Sequence, residues 1–203
     1  MRLGNDSNQM TYISLMLRED FPYIPLPEVF YPFESKEPFC SCSRCKRSLL
    51  SEDVEYIIEK ALKPGDTIYE YAVCFACIED SRSRISADSC AVIERFFRER
   101  MRPLNHREAM LSKYDLNTDL WLDRCIVTGK RVSEMDEYQI LGHAQGPFLV
   151  FSMFPYALGE EASKELTDLI SSETMDEMDD FADELIDIPP ELRELWKRKP
   201  VFL

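Results

Sequence analysis

Four cysteines in the first half of the chain have a spacing that predicts metal binding. Cys42 and Cys45 form one Cys-x-x-Cys pair, and Cys74 and Cys77 form a second. Each pair can direct two sulfurs toward one point about 2.3 Å away, which is the length of a zinc–thiolate bond. Four thiolates in a closed tetrahedron suit Zn²⁺ and leave no position for water or a substrate. The sequence therefore predicts one structural zinc ion.

Several alternatives for these thiols stay open. Iron can fill a four-cysteine site of the rubredoxin kind, and the same residues could act as a redox dithiol or carry no metal. Cys40 could replace Cys42 as a ligand, but its spacing to Cys45 is less usual, so we treat it as a spare thiol. Disulfides do not explain the whole set, because the chain has seven cysteines and an odd number cannot all pair within one chain.

The residues between the two cysteine pairs are predicted to form a β-hairpin. Residues 55–61 and 67–73 are rich in β-branched and aromatic side chains, as strands are. Residues 63–66 read Lys-Pro-Gly-Asp, with proline at the second turn position and glycine at the third, where φ becomes positive. Such a hairpin returns the chain to its start and brings the two pairs together.

Residues 42–84 resemble a treble-clef zinc finger, the family that includes LIM-type and many zinc-ribbon-like modules. The resemblance implies a knuckle at the first cysteine pair, a β-hairpin, and then the second pair at the N-terminus of a helix. There the helix dipole and free N–H groups would stabilise anionic thiolates. The sequence departs from the commonest pattern at one position, because Lys46 follows Cys45 where glycine is frequent.

Helices are predicted after the second cysteine pair. Residues 78–84 are polar and suit a helix, and residues 86–102 carry an apolar stripe at helical spacing that we expect to pack on the core. A proline directly follows the longer helix and would end it. The candidate N-caps of that helix are Ser86, Asp88 and Ser89.

The second half of the chain is predicted to repeat the first. Knuckle, first strand, turn glycine, returning strand and helix start recur in the same order. The matched segments are 42–47 with 125–131, 55–58 with 137–140, Gly65 with Gly146, 67–73 with 148–154, 85–89 with 170–174, and Phe96 with Phe181.

This second unit is predicted to be free of metal and held together by its aliphatic and aromatic interior. Of the four ligand positions, only the one at Cys125 keeps a thiol. Thr128, Pro155 and Leu158 stand in the alignment where the first unit has Cys45, Cys74 and Cys77.

Two segments flank these units. Residues 1–39 are rich in proline and aromatic residues, so we expect an extended, irregular arm that wraps the domain, with residues 12–17 as one strand or helical turn. After the second hairpin, helices are predicted at 160–170 and 174–186, and a short one from Pro189. Thr174 and Glu177 would form the capping box of the second of these.

The predicted fold is therefore α+β: two tandem treble-clef-like units, the first zinc-bound, with extra helices and an extended N-terminal arm. The arm covers residues 1–39 and the zinc unit residues 40–102. Residues 103–124 form a connector with a helical piece at 108–113. Residues 125–203 form the metal-free repeat with acidic C-terminal helices.

Charge narrows the choice of partner. The chain has 24 Lys and Arg against 38 Asp and Glu, a formal net charge of −14, which opposes a broad nucleic-acid footprint. Bases are concentrated in residues 82–113 and acids in residues 160–187, where Lys164 is the only base. We expect these regions to neutralise each other or to face solvent, and a basic docking face is the alternative.

Neither a membrane span nor a secretory signal is expected from the sequence. No stretch approaches the about 18 apolar residues that a span needs. The first residues turn polar at once and lack the apolar core of a signal peptide. We therefore expect a cytoplasmic protein.

Three functions are compatible with these features. The leading hypothesis is a non-enzymatic zinc protein that binds another protein. The second is association with nucleic acid or the ribosome through Arg44, Lys46, Arg47 and the arginines of residues 82–107. The third is a thiol-dependent enzyme, for which Cys125 and His143 are a conceivable nucleophile and base. We predict no catalytic residue, because no glycine-rich phosphate loop, distinctive carboxylate pair or Gly-x-Ser-x-Gly elbow is present.

Overall fold

A computed structural model describes residues 21–186 of the 203-residue chain. In this part of the chain, one antiparallel sheet of six strands is covered by α-helices and by the N-terminal arm. The protein is thus a mixed α/β structure. The strand or turn predicted at residues 12–17 and the helix predicted from Pro189 lie outside the described residues.

The sheet joins both halves of the chain. Its strands are β1 (Tyr23–Pro25), β2 (Glu55–Lys63), β3 (Asp66–Cys74), β4 (Tyr138–Gln145), β5 (Phe148–Val150) and β6 (Tyr156–Gly159). The order across the sheet is β1-β5-β4-β2-β3, and β6 pairs with the first part of β4, beyond the end of β5. The centre is the antiparallel β2–β4 ladder, which spans eight residue pairs from Glu55–Gln145 to Leu62–Tyr138.

The predicted hairpin between the cysteine pairs is confirmed. Strands β2 and β3 are joined by a turn at Pro64 and Gly65, and Gly65 adopts a φ of +80°. This left-handed conformation is one that residues with a side chain rarely adopt, so the position favours glycine. Strand β2 begins at the predicted residue and ends two residues later than predicted, and β3 is one residue longer at each end.

The returning strand predicted at residues 148–154 is wrong as a single element. Strand β5 ends at Val150, the chain leaves the sheet for five residues, and β6 begins at Tyr156. Pro155 has no N–H to donate to a sheet ladder. Phe151 and Phe154 are instead buried in the core. Their burial stabilises the excursion that interrupts the strand.

The helices are distributed between and after the strands. They are α1 (Phe75–Arg82), α2 (Ala87–Phe96), α3 (Pro103–Tyr114), α4 (Thr118–Leu122), α5 (Glu160–Thr167) and α6 (Ser172–Leu185). A π-helical turn (Phe97–Met101) extends α2, and Arg102 with a φ of +46° separates it from α3. The predicted stop before Pro103 is therefore confirmed, but the connector is more helical than its sequence suggested.

Two serines cap α2 and α6, the second helix after each hairpin. Ser86 accepts a hydrogen bond from the Ser89 N–H (3.2 Å), so one of the three candidate caps of α2 is confirmed. Ser171 accepts from the Thr174 N–H (3.2 Å) and caps α6. The capping box predicted at Thr174 is therefore wrong. The Thr174 hydroxyl donates instead to the Ser89 hydroxyl (2.8 Å) and links the starts of α2 and α6.

The described part of the arm, residues 21–39, packs on one face of the sheet. Phe30 is fully buried there and contacts β4 so closely that a Cβ on Gly142 would lie 2.7 Å from its ring. Lys60 of the same face donates to the Tyr31 carbonyl, and its ammonium lies 3.2 Å from the Glu70 carboxylate. Residues 21–39 of the arm therefore form an outer layer of the described domain.

The opposite face carries a buried polar network beneath the helices. Glu59 lies at the centre of the β2–β4 ladder and is fully buried. Its carboxylate accepts from the Tyr69 hydroxyl (2.6 Å), from the Tyr71 hydroxyl and from the Gln139 amide (3.3 Å). Burial, followed by the charge of Glu59, raises the pKa of both tyrosines well above its usual range, so both stay donors.

The Phe30–Gly142 contact predicts a steric cost. The Gly142→Ala variant should lose about 1–3 kcal/mol of unfolding free energy, because a methyl group must displace the Phe30 ring from a packed core. In a Phe30→Leu background the same change should cost less, since the smaller side chain leaves room. Urea unfolding of the four proteins of this double-mutant cycle measures the coupling. Equal costs in both backgrounds would contradict the contact.

Candidate metal centre

The structure brings together all four cysteines of the two Cys-x-x-Cys pairs. The sulfurs of Cys42, Cys45, Cys74 and Cys77 lie within 4.8 Å of one another. The Sγ–Sγ distance is 3.9 Å between Cys42 and Cys77 and 3.7 Å between Cys45 and Cys74. A regular tetrahedron with bonds of about 2.3 Å has edges of about 3.8 Å. The cluster therefore has the size that a tetrahedral metal ion such as zinc requires.

A tight turn positions the first pair. The Cys42 N–H donates to the Arg47 carbonyl (2.8 Å), and the Lys46 N–H donates to the Cys42 carbonyl (3.0 Å). Lys46 takes the left-handed conformation, with a φ of +61°, and its ammonium donates to the Ser43 carbonyl. The knuckle therefore forms although lysine replaces the glycine that is frequent at this position.

Hydrogen bonds fasten this turn to the end of the hairpin. The Ser43 N–H donates to the Ala72 carbonyl (2.8 Å), and the Ala72 N–H donates to the Ser43 hydroxyl (3.2 Å). The Cys74 N–H donates to the Cys42 sulfur (3.4 Å), an acceptor that is stronger as a thiolate. These contacts set the distance between the two pairs independently of any metal.

The second pair lies at the start of α1. Cys74 is the N-cap residue and Cys77 lies in the first turn, where backbone N–H groups lack intrahelical partners. The positive end of the helix dipole stabilises negative charge at these sulfurs. This is the placement that the resemblance implied.

The thiols differ in acidity. Burial raises the pKa of Cys45, but hydrogen bonds from the Arg47 backbone and the neighbouring thiols outweigh it and lower that pKa to about 7. Burial, together with interactions with the neighbouring thiols, raises the pKa of Cys74 and Cys77. One thiol therefore ionises readily, whereas full ionisation of the set needs a cation to offset the mutual repulsion.

An arginine inside the first pair connects the cluster to α6. The Arg44 guanidinium lies 2.6 Å from Asp80 and 2.5 Å from Glu184, and it stacks over Phe181 at 5.3 Å. Hydrogen bonding to Asp80, followed by that to Glu184, raises the Arg44 pKa, so this side chain stays charged. Sequence reasoning assigned Arg44 only to a possible nucleic-acid surface. Its position between two ligand cysteines was the signal that it belongs to the cluster's support.

The remaining cysteines lie outside the cluster. Cys40 is exposed, Cys90 is half-buried and Cys125 is buried. Within residues 21–186, the four-cysteine group is the only set of three or more metal-ligating side chains that converge. Cys40 therefore does not take the place of Cys42 in this arrangement.

Cys125 lies in a second turn with the same hydrogen bonds as the first. Its N–H donates to the Lys130 carbonyl (2.9 Å), and the Gly129 N–H donates to the Cys125 carbonyl (2.8 Å). The Ile126 N–H donates to the Ala157 carbonyl (2.9 Å), and the Gly159 N–H donates to the Cys125 sulfur (3.3 Å). Gly159 thus stands relative to Cys125 as Cys74 does to Cys42.

These bonds correct the sequence alignment of the second half. In hydrogen-bond geometry, the places that the alignment gave to Pro155 and Leu158 are taken by Gly159 and Ala162, at the start of α5. The error has a physical cause, because the five residues that leave the sheet before β6 shift the register. The acidic helix start directly after Gly159 was the available signal.

The Cys125–His143 pair, considered above only as a conceivable alternative, does not form. The buried His143 has Nδ1 at 3.0 Å from the Ser152 hydroxyl and Nε2 at 3.2 Å from Glu55. His106 packs edge-on against Trp121, with ring centroids 5.9 Å apart, and burial lowers its pKa to about 4. The thiol of Cys125 therefore has no histidine base.

No protein-family model, curated protein or solved structure matches this chain. Within residues 21–186, none of the helices is both long and apolar enough to span a bilayer.

The raised pKa values of the buried thiols predict a pH-dependent metal affinity. Metal binding must displace the protons of Cys74 and Cys77, so affinity for Zn²⁺ should rise by about tenfold or more per pH unit near neutrality. Competition with a chelator of known pH dependence, between about pH 6 and 8, measures the slope. An affinity that does not change with pH would show that metal binding displaces no protons from these thiols.

Proposed function

We propose that the protein is a non-enzymatic zinc-binding protein whose metal holds a scaffold for binding another protein. The observation that carries the zinc assignment is the convergence of four sulfurs with tetrahedral spacing. A four-cysteine tetrahedron favours Zn²⁺, which has no preferred geometry of its own and accepts thiolates readily. Seven free thiols also suit a reducing compartment such as the cytoplasm.

The proposed ion is structural. Three of its ligands, Cys42, Cys74 and Cys77, are buried, and four protein thiolates would leave no open position for a reacting molecule. Binding of such an ion contributes on the order of 10 kcal/mol to folding in small zinc peptides. Here it would tie the knuckle to the end of a long hairpin.

We also propose that both halves of the chain are treble-clef units and that the second has lost its metal. The order of knuckle, hairpin and helix around the first cluster supports the first part. The matching hydrogen bonds around Cys125 support the second. A Cβ on Gly159 would lie 2.7 Å from the Met135 sulfur, so a buried thioether fills the space beside Cys125.

Burial of the remaining reactive groups argues against an enzyme. Glu55, His143 and Ser152 form a hydrogen-bonded chain that resembles a catalytic triad. Ser152, however, is fully buried and His143 is nearly so, which closes the hydroxyl to a substrate. We therefore interpret this chain as a satisfied core contact.

Charge pairing argues against a nucleic-acid surface. Arg44 and Arg84 both pair with Glu184, and Arg100 makes a two-point contact with Glu165 at 2.8 Å. These basic side chains are thus partly neutralised by acids of the C-terminal half, which weakens their attraction for phosphates. This favours a protein partner over nucleic acid.

We assign strand β1 to that partner. Within residues 21–186, β1 is an edge strand that pairs with β5 alone. Its Tyr23 is 63% exposed and packs edge-on against Phe148 at 5.2 Å. Exposed aromatic side chains on an edge strand are frequent features of protein interfaces.

Cysteine variants test the zinc assignment. Protein purified without added metal should carry about one equivalent of zinc, and Cys74→Ala should lose it and several kcal/mol of stability. Cys40→Ala is the matched control and should keep both, because this thiol lies outside the cluster. Elemental analysis and thermal unfolding measure the two effects. Loss of zinc from the Cys40 variant alone would overturn the ligand assignment.

The proposed second unit predicts that a metal site can be rebuilt there. Cysteines introduced by Thr128→Cys, Gly159→Cys and Ala162→Cys join Cys125, and Met135→Ala removes the side chain that fills the space. Elemental analysis of this variant should give about two zinc equivalents.

A matched set tests the register of the two units. Pro155→Cys and Leu158→Cys, combined with Thr128→Cys and Met135→Ala, should leave the zinc content at one equivalent. The variant with Gly159→Cys and Ala162→Cys would contradict the equivalence of the two units if it folds but binds only one zinc ion.

The partner surface is tested separately. Tyr23→Asp should abolish recovery of any specific protein from native lysate and leave zinc content unchanged, because Tyr23 makes no contact with the cluster. Leu104→Asp, at an exposed leucine of α3, is the control and should retain the partner. Absence of a specific partner in the wild-type sample would count against an interaction scaffold.

A further inference from the structure

The two ends of the β2–β4 ladder are related by its local two-fold symmetry, but different side chains pack on them. An antiparallel ladder has local two-fold symmetry, here about the Glu59–Leu141 pair. Ile57 faces His143 on one side of this centre, and Ala61 faces Gln139 on the other. The first turn of a helix covers each end, α1 at one and α5 at the other.

Aromatic rings close the first end. Phe75, the first residue of α1, stacks on His143 with centroids 5.1 Å apart, and Phe154 lies 6.4 Å from the same ring. At the other end, Ala61 has only a methyl group, and Glu160 is the first residue of α5. A cleft of about 190 Å³ that opens to solvent lies at this end.

The lining of this cleft combines apolar and charged residues. Its apolar residues include Ala61, Ile68 and Leu158. Its charged residues are Glu137, Glu160 and Lys164, so acidic residues are in excess. An apolar body with a positively charged end matches this distribution.

A buried acidic group lies behind this lining. Gln139 accepts from Ser163 (3.2 Å) and donates to Glu59 (3.3 Å), which is fully buried behind it. Burial, followed by the charge of Glu59, raises the Tyr69 pKa, so the Tyr69 hydroxyl stays a donor to the Glu59 carboxylate. The excess of acidic residues in the lining favours a cation over an anion.

We propose that this cleft binds a small organic cation, an ammonium or guanidinium group on a short apolar stem. The Glu160 carboxylate would hold the charge, and the apolar lining would enclose the stem. The volume is below the about 300 Å³ at which sites for drug-sized molecules begin, so the ligand is of fragment size. The charged group could belong to a free amine or to a lysine side chain of a partner.

Amide chemical-shift titration of the full-length zinc-loaded protein tests this site. Phenethylammonium should shift the amides of residues 137–139 and 158–167 and bind with a Kd of about 1 mM, as expected for a fragment. Phenethyl alcohol, which has the same body without charge, should bind about fivefold more weakly, and phenylpropionate more weakly still. Equal binding of the three probes would overturn the proposal.

Two substitutions at one position distinguish the contribution of the carboxylate charge from that of the open volume of the cleft. Glu160→Gln should weaken phenethylammonium binding about fivefold, and Glu160→Phe should abolish it by supplying the ring that Phe75 provides at the other end. Glu161→Gln, at the next residue of α5 and outside the cleft lining, is the matched control and should bind as wild type. Unchanged binding by the Glu160→Phe variant would overturn the proposal.

A capped lysine, Nα-acetyl-lysine N-methylamide, distinguishes the two sources of the cation. Tighter binding of this probe than of phenethylammonium assigns the site to a lysine side chain, and weaker binding assigns it to a free amine. Both results support the cleft as a cation site. Failure of both probes to shift the lining amides at 10-fold above the expected Kd, about 10 mM, would refute it.

Discussion

The convergence of four cysteine sulfurs from the first turn, the hairpin end and α1 is the constraint on which the rest of the structure depends. The fold holds four sulfurs within 4.8 Å, and burial raises the pKa of two of them. Without a cation, the set would stay largely protonated and its convergence would contribute little to stability. With a divalent ion, the same convergence becomes a cross-link between the knuckle, the hairpin and α1. The metal and the backbone geometry therefore support each other.

The sheet extends this local cross-link to the whole described domain. Strand β2 pairs with β3 of its own hairpin and with β4 of the second half, so the hairpin that carries the cysteine cluster supplies one strand of the central ladder. Helix α6 of the second half returns to the cluster through Arg44 and Glu184. The helix starts at Ser86 and Ser171 meet through hydroxyl contacts with Thr174 and Ser89. The two halves thus share one core.

Local sequence signals predicted the elements of the first half well. The Cys-x-x-Cys spacing, the Pro-Gly turn and the alternation of β-branched residues are all encoded within a few residues of where they act. The N-cap at Ser86 and the end of the helix before Pro103 are likewise encoded by nearby residues. For this reason the cysteine cluster and its hairpin could be predicted without any long-range information.

Features that depend on distant contacts could not be predicted. The interruption between β5 and β6 arises because Phe151 and Phe154 are buried by other elements. The buried carboxylate of Glu59 is satisfied by donors from β3 and β4, which no local pattern reveals. The unfilled end of the ladder is likewise visible only when Ala61 and Glu160 are seen together. Tertiary packing decided these features.

X-ray absorption spectroscopy of protein purified without added metal tests the central claim most directly. The account predicts a zinc edge and four sulfur neighbours at about 2.3 Å, with no lighter ligand in the first coordination sphere. An iron edge would contradict the identity of the ion. Nitrogen or oxygen neighbours, or a folded protein without any metal, would contradict the closed four-thiolate site itself.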